Sequence, residues 1–378
     1  MGIFGFTWYF IIVFLIVLSV LVYVHEWGHY WVAKRNGVRV ETFSIGFGPE
    51  IFGWTNAAGT RWKISAIPLG GYVKMFGENM EDEETGEPVE MTPEEQAVSF
   101  HHKTIGQRAA IVFAGPAVNF LFAIAAFAAL AMFQGSAAPL AVVGVVLPNS
   151  AAAEAGFVKN DRIVAIDDKK IETFEDLRQV VMKAPGEKLA FGVERDGKQL
   201  TIAATPKAAT AGGDTGKGGK VGLLGIRPSI DHVRYERHNP AMALWIGVEQ
   251  TYGMTANILA YIGDMITGSR GTDDLGGPLR IAQISGEMAQ KGVAYVVLLM
   301  AMLSVNLGLI NLFPIPMLDG GHLAFYAAEA IRGKPLGPKV QEYGFRFGLG
   351  LVLLLVVFVT WNDLVHLRVF EIIKDLFT

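Results

Sequence analysis

The chain has 378 residues, of which 51% are hydrophobic and 18% charged, with a formal net charge of −4. This balance lacks the basic footprint of a nucleic-acid binder and points to several membrane spans together with an aqueous domain. The absence of cysteine excludes disulfides, iron–sulfur clusters and thiolate metal sites, so histidine and carboxylate are the strong metal ligands available.

The first expected element, residues 1–33, is an apolar helix with no charge from Phe4 to Val24 that runs directly into His25-Glu26-Trp27-Gly28-His29. No basic residue precedes the apolar run and no small-residue cleavage pattern follows it, so a retained span is expected rather than a signal peptide. On a helix, imidazoles four residues apart share a face and can grip one metal, with Glu26 beside them as a general base. Ionisable residues are costly in a membrane span, and three within five positions mark function rather than packing.

Residues 34–107 follow as a polar region. From Thr42 to Lys74 apolar and polar positions alternate around Gly46, Gly48, Gly70 and Gly71, a pattern of short hairpins. From Glu78 to Glu95 the chain is acidic and contains proline, as a solvated loop does. A second span is expected at 108–134, with its apolar run from Ala109 to Phe133 opened by Gly115-Pro116-Ala117-Val118-Asn119-Phe120. A soluble α+β segment occupies 139–207. Its strands are expected at Val142 to Leu147, Arg162 to Ile166, Leu189 to Arg195 and Gln199 to Ala203, and its helices at Ala151 to Ala155 and Phe174 to Ala184.

A linker at 208–237 begins with a Gly/Ala/Thr-rich stretch, Ala208 to Lys220. The region 238–290 is rather apolar but interrupted by Glu249 and Asp264, and is expected to hold an amphipathic helix on the membrane surface. The third span and its following loop occupy 291–322, breaking at Pro314 and Pro316. A fourth span lies within 345–366, with its uncharged run from Phe347 to Trp361. Basic residues cluster between the first and second spans (Lys34, Arg35, Arg39, Arg61) and between the third and fourth (Arg332, Lys334, Lys339), which places both connections in the cytoplasm.

A hydrolytic zinc site needs a third protein ligand and keeps one position for water. The third span enters from the opposite side, so the loop Asn311-Leu312-Phe313-Pro314-Ile315-Pro316-Met317-Leu318-Asp319-Gly320-Gly321-His322 ends at the depth of His25 and His29. Asp319 is the candidate and His322 its rival, although Asp-Gly-Gly after two prolines is also ordinary turn chemistry. Asn311 either donates a hydrogen bond to a developing oxyanion or substrate carbonyl, or caps the broken helix.

Together these motifs resemble the site-2 protease family of intramembrane zinc metalloproteases, peptidase family M50, in its bacterial regulator-of-sigma-E branch. The resemblance covers nearly the whole chain, including Gly46-Phe47-Gly48-Pro49 and Ile67-Pro68-Leu69-Gly70-Gly71-Tyr72-Val73-Lys74. It implies four core spans, Zn2+ held by His25, His29 and Asp319, and Glu26 activating water. It also implies that Thr42 to Lys74 is a membrane re-entrant β-loop offering an edge to an unwound substrate, with a plain cytoplasmic loop as the alternative. Substrate contacts then fall to Asn311, Pro314, Pro316, Gly46, Gly48, Gly70 and Gly71. Residues 139–207 resemble a single PDZ domain, notably in Ser150-Ala151-Ala152-Ala153-Glu154-Ala155-Gly156-Phe157 and Asp161-Arg162-Ile163-Val164-Ala165-Ile166.

The expected fold is therefore a polytopic α-helical membrane protein of about four transmembrane helices, with a membrane-associated β-hairpin region and an inserted α+β PDZ domain. The expected partners are the lipid bilayer and single-pass membrane proteins of anti-sigma-factor type or signal-peptide remnants, with no nucleic acid. The expected location is a bacterial inner membrane, with the PDZ domain on the periplasmic side. A catalytically inactive PDZ scaffold and a metal transporter are the alternative functions, although the second and fourth spans supply few polar residues for an ion path.

Overall fold

The structure, a computed structural model, describes residues 3–78, 91–210, 220–229, 231–269, 271 and 276–366. Most of the acidic stretch, 79–90, and most of the Gly/Ala/Thr-rich linker, 211–219, lie outside the described residues. The chain divides into two compact units, residues 131–239 and the remainder.

In the larger unit, α1 (Ile3–Arg35) is followed by strands β1 (Val40–Thr55) and β2 (Arg61–Met75), then α2 (Pro93–Val98) and α3 (Ile105–Phe133). After the smaller unit come α6 (Pro240–Ile266), α7 (Pro278–Lys291), α8 (Val293–Asn311), α9 (Asp319–Arg332) and α10 (Pro338–His366). Four helices are long and apolar enough to cross a membrane: Trp8–Arg35, Ile105–Phe133, Val293–Asn311 and Lys339–Val365. With no water in a bilayer core, a helix satisfies its own backbone, which is why uninterrupted apolar runs of this length take this form. α1 stops where Lys34 and Arg35 meet the negative helix end and Gly37, at φ 68°, turns the chain away.

The fourth helix begins well before the apolar run at Phe347. Its first turns are polar and joined by an Arg346–Glu342 pair one turn apart, a contact that supports a helix without apolar side chains. The region expected as one amphipathic helix holds two. α6 sets the small residues Ala243 and Gly247, with Thr251, against its neighbours. A Cβ at Gly247 would overlap the carbonyl of Ile124 on α3, so the two backbones touch. Met254 and Ile258 continue this face onto Ala123, Phe127, Ala301 and Val305 of α3 and α8.

α7 packs on α1, where Gly286 faces the ring of Phe10. Its N-terminus is capped from another helix. Asp363, 1% exposed on α10, accepts hydrogen bonds from the backbone N–H of Gly277 (2.8 Å), Leu279 (3.0 Å) and Arg280 (3.2 Å). Three otherwise orphaned helix donors are thereby satisfied by one carboxylate. Asp363→Ala is expected to destabilise the protein by about 1.5–3 kcal/mol, read as a lower thermal midpoint in detergent. An unchanged midpoint would show that water replaces the carboxylate at no cost.

β1 and β2 form a folded ribbon in which residues 42–45 have partners on both sides, Phe43 pairing with both Val73 and Trp62. Phe43 stacks on Trp62 at 4.2 Å between centroids and is buried with Val38, Val40, Val73 and Ile111. Phe47, Ile51, Phe52, Trp54, Ile67 and Leu69 are exposed on the same ribbon, an apolar surface suited to lipid rather than water.

In the smaller unit, the order is β3 (Ser136–Pro139), β4 (Val143–Val146), α4 (Ala151–Ala155), β5 (Arg162–Ile166), β6 (Lys169–Lys170), α5 (Phe174–Lys183), β7 (Leu189–Arg195), β8 (Lys198–Ala204), β9 (Lys207–Thr210), β10 (Lys220–Leu223), β11 (Ile226–Pro228) and β12 (Val233–Glu236). A four-stranded sheet runs β6-β5-β7-β8, and three two-stranded pairs join β4 to β11, β3 to β12 and β9 to β10. Val143, Phe157, Ile163, Leu177, Phe191 and Val193 fill its core. Beside them the fully buried Asp161 receives both Nε (2.6 Å) and a terminal nitrogen (2.7 Å) of Arg195, a bidentate pair that compensates for burying the charge.

Candidate metal and peptidase centre

The site forms where three helices meet. α1 crosses α3 at Gly28, where a Cβ would stand 2.5 Å from the carbonyl oxygen of Ala114 and 3.1 Å from Cα of Gly115. At Gly115 a Cβ would overlap the ring of His29 and lie 2.8 Å from Cε1 of His25. Only glycine at both positions lets the backbones approach closely enough for α3 to run directly under the two imidazoles. α8 then packs on α3 at the same level, with Ser304 Oγ donating to the carbonyl of Asn119 at 2.9 Å and Gly308 facing Pro116.

From the end of α8 the chain bends through Pro314 and Pro316 and passes Met317, whose φ of 92° is a strained left-handed conformation for a residue with a side chain. Gly320 and Gly321 lie flat against the carbonyls of Phe313 and Ile315, and α9 starts with Asp319 turned toward α1. The carboxylate reaches both histidines: Oδ2 is 3.2 Å from Nε2 of His25 and Oδ1 is 3.6 Å from Nε2 of His29, while the two Nε2 atoms are 3.2 Å apart. All three residues are largely buried, and they form the one cluster of potential metal ligands of this kind among the described residues.

This donor set fits a zinc ion. Bonds of about 2.0–2.1 Å at tetrahedral angles place ligand atoms about 3.3–3.4 Å apart, which the three observed separations bracket. Asp319 Oδ2 is buried with no hydrogen-bond partner among the described residues, a charge left for a cation to satisfy. The outer nitrogens are held as metal-bound histidines require. His29 Nδ1 donates to the carbonyl of Ile111 at 2.9 Å, and His25 Nδ1 lies 2.9 Å from the side-chain amide of Asn119. The oxygen of that amide is itself buried without a partner among the described residues. A half-turn of the amide lets it accept from His25 Nδ1 and leaves the Nε2 lone pair for a metal.

A cavity of about 490 Å³ opens on the three ligands and is lined also by Glu26, Gly71, Asn311, His322 and Tyr326. Gly71 brings β2 against α1, since a Cβ there would stand 3.3 Å from Cγ of Glu26. At the cavity's other end Arg108 donates to Glu329 at 3.0 Å and lies over the ring of Tyr326. Glu329 also accepts from the N–H of Leu336 at 3.1 Å, so one carboxylate ties α9 to Arg108 of α3 and to the segment that follows α9.

The residues singled out in the sequence therefore separate. His25, Glu26, His29, Asn311, Asp319 and Gly71 converge on one cavity. His322 lines it but is not part of the ligand cluster. Gly46, Gly48 and Gly70 take positive φ at bends of the ribbon, and Pro314 and Pro316 shape the loop before Asp319; these five do not line the cavity. Gly28, Gly115 and Asn119 went unassigned from the sequence. The last two lie in the Gly-Pro-x-x-Asn-Phe motif, whose spacing sets them one helical turn apart.

Two imidazoles, a carboxylate and a neighbouring glutamate, carried by helices long enough to cross a membrane, define a metal-dependent hydrolase built into a multi-pass membrane protein. Comparison with known proteins makes this specific, since Peptidase family M50 matches residues 13–355. A putative zinc metalloprotease of Agrobacterium fabrum is 45% identical over 95% of this chain and 97% of its own length. Metalloprotease MmpA of Caulobacter vibrioides is 38% identical over 96% and 97%, and regulator of sigma-E protease RseP of Salmonella typhimurium 32% over 93% and 97%. The chain belongs to peptidase family M50 and is a zinc metalloprotease.

Proposed function

We propose that this enzyme hydrolyses peptide bonds within the membrane-spanning segments of single-pass proteins, with His25, His29 and Asp319 as zinc ligands and Glu26 as general base. The observation that carries this reading is the placement of the ligand cluster and Glu26 in one cavity between helices of spanning length. The chemistry a bound zinc supplies is Lewis acidity toward water and carbonyl oxygen. Glu26 takes the proton of the attacking water and returns it to the leaving amine. Asn311, on the cavity wall, donates a hydrogen bond to the substrate carbonyl.

A spanning helix hides its amides in its own hydrogen bonds, so it must be drawn out before it is cut. Gly71, Tyr72, Val73 and Met75 of β2 line the cavity, which supports strand addition by an extended substrate. Gly46, Gly48 and Gly70 are read as shaping the ribbon, and Pro314 and Pro316 as shaping the loop that presents Asp319. The smaller unit is read as a PDZ domain that binds chain ends or restricts bulky ectodomains, on the periplasmic face of a bacterial inner membrane. The substrates are anti-sigma-factor-like proteins already shortened by a first cleavage, or signal-peptide remnants.

The test is cleavage of a truncated single-span substrate of anti-sigma type by the purified, detergent-solubilised protein, with and without a zinc chelator. Wild type is expected to cleave and the chelator to stop it. His25→Ala and Asp319→Ala are expected to lose both stoichiometric zinc and cleavage; zinc retained by either variant would remove that residue from the ligand set. Folded, zinc-loaded wild type that leaves the substrate intact would favour a catalytically inactive scaffold.

A further inference from the structure

Hydrolysis of an amide by addition of water builds negative charge on the carbonyl oxygen, and fixed donors aimed at that oxygen are usually the largest protein contribution to the rate. Among the groups on the cavity wall, Glu26, Glu78, Asp319 and Glu329 are carboxylates, His25 and His29 belong to the ligand cluster, Arg108 is bound through a terminal nitrogen to Glu329, and Gln341 donates to the carbonyl of Leu336. His322 has no such commitment. It stands on α9 one turn after Asp319, on the same helix face, and lines the cavity.

The described residues make no hydrogen bond to its ring, and its packing partners are aromatic: Phe345 at 5.3 Å and Tyr326 at 6.5 Å between centroids. These contacts limit the ring's orientation without occupying its nitrogens. His322 follows Asp319 by one turn of α9, whereas His101, the other imidazole on the wall outside the ligand cluster, stands in the turn between α2 and α3.

We propose that His322 is a further catalytic residue, whose imidazole N–H donates a hydrogen bond to the carbonyl oxygen that becomes negative as water adds to the scissile bond. The proton stays on His322 throughout, so no bond of its own breaks. This assignment rests on the peptidase reading above and adds a second donor on the wall that carries Asn311.

The test compares wild type with His322→Phe, which keeps an aromatic ring against Phe345 and Tyr326, and His322→Gln, which restores an N–H donor. Zinc content is measured on every sample, as are kcat and KM on the truncated single-span substrate. His322→Phe is expected to keep its zinc and lose about 100-fold in kcat, with KM changed less than about threefold. His322→Gln is expected to recover about tenfold or more of that loss. A peptide phosphonamidate, which mimics the tetrahedral oxyanion, is expected to bind His322→Phe about 100-fold more weakly than wild type in a displacement assay without turnover.

Unchanged kcat in His322→Phe, zinc lost with activity, a rise in KM at constant kcat, or a Gln variant as poor as Phe would each overturn the proposal. Should wild type cleave nothing, the peptidase reading fails on its own account. The phosphonamidate still decides on His322, because equal affinity in wild type and His322→Phe refutes the donor role.

Discussion

Glu26→Gln is expected to lower cleavage by about 10²–10⁴-fold while zinc remains stoichiometric. The side chain keeps its size and its place in the cavity beside Gly71, and the three ligands are untouched, so only the ability to accept a proton is removed. Metal analysis alongside single-turnover cleavage separates this outcome from misfolding. Normal turnover by the Gln enzyme would refute Glu26 as the base. Loss of zinc in step with activity would mean that the carboxylate supports the metal rather than the water.

Gly115→Ala is expected to be nearly as damaging although the residue carries no functional group. Its new methyl would occupy the place of the His29 ring and press on His25. α3 is not free to retreat from α1, because α8 packs on it at the same level through Gly308 against Pro116 and Ser304 against Asn119. Zinc affinity is expected to fall by about 100-fold, the upper range for a change just outside the ligands, and cleavage with it, while the helical circular dichroism persists. Gly106→Ala on the same helix is the control, since a Cβ there meets open space and only helix propensity changes. Equal zinc in the two variants would show that the crossing relaxes more readily than the geometry indicates.

Much of the local structure was legible in the chain. Apolar runs without charge marked the four helices of spanning length, because a helix in hydrocarbon depends on its own composition. The strands β5 and β7 and the helix α4 fall where alternation and small-residue patterns placed them. The His25/His29 pair and Glu26 were legible for the same reason: i and i+4 share a helix face whatever else the chain does. Less legible were features whose partners come from elsewhere. Asp363 reads as a stray charge near the end of a span until the N-terminus of α7 is seen against it. Polar residues extend α10 well before its apolar run because pairs such as Glu342 and Arg346 support the helix.

By itself, then, the sequence determined which segments are helices of spanning length, which helix carries two imidazoles and a base on adjoining positions, and that a carboxylate follows a broken span. Those properties depend on neighbours within a few residues. The tertiary structure decided which groups share one cavity: Asp319 within 3.6 Å of both histidines, Asn119 and Ile111 on their outer nitrogens, His322 on the wall but outside the ligand cluster, Gly71 on the wall beside Glu26, and Gly46, Gly48 and Gly70 at bends rather than in contact with the site. These depend on how closely helices cross, and that distance is set by the absence of side chains at Gly28, Gly115 and Gly308, which have meaning only when the opposing backbone is in place.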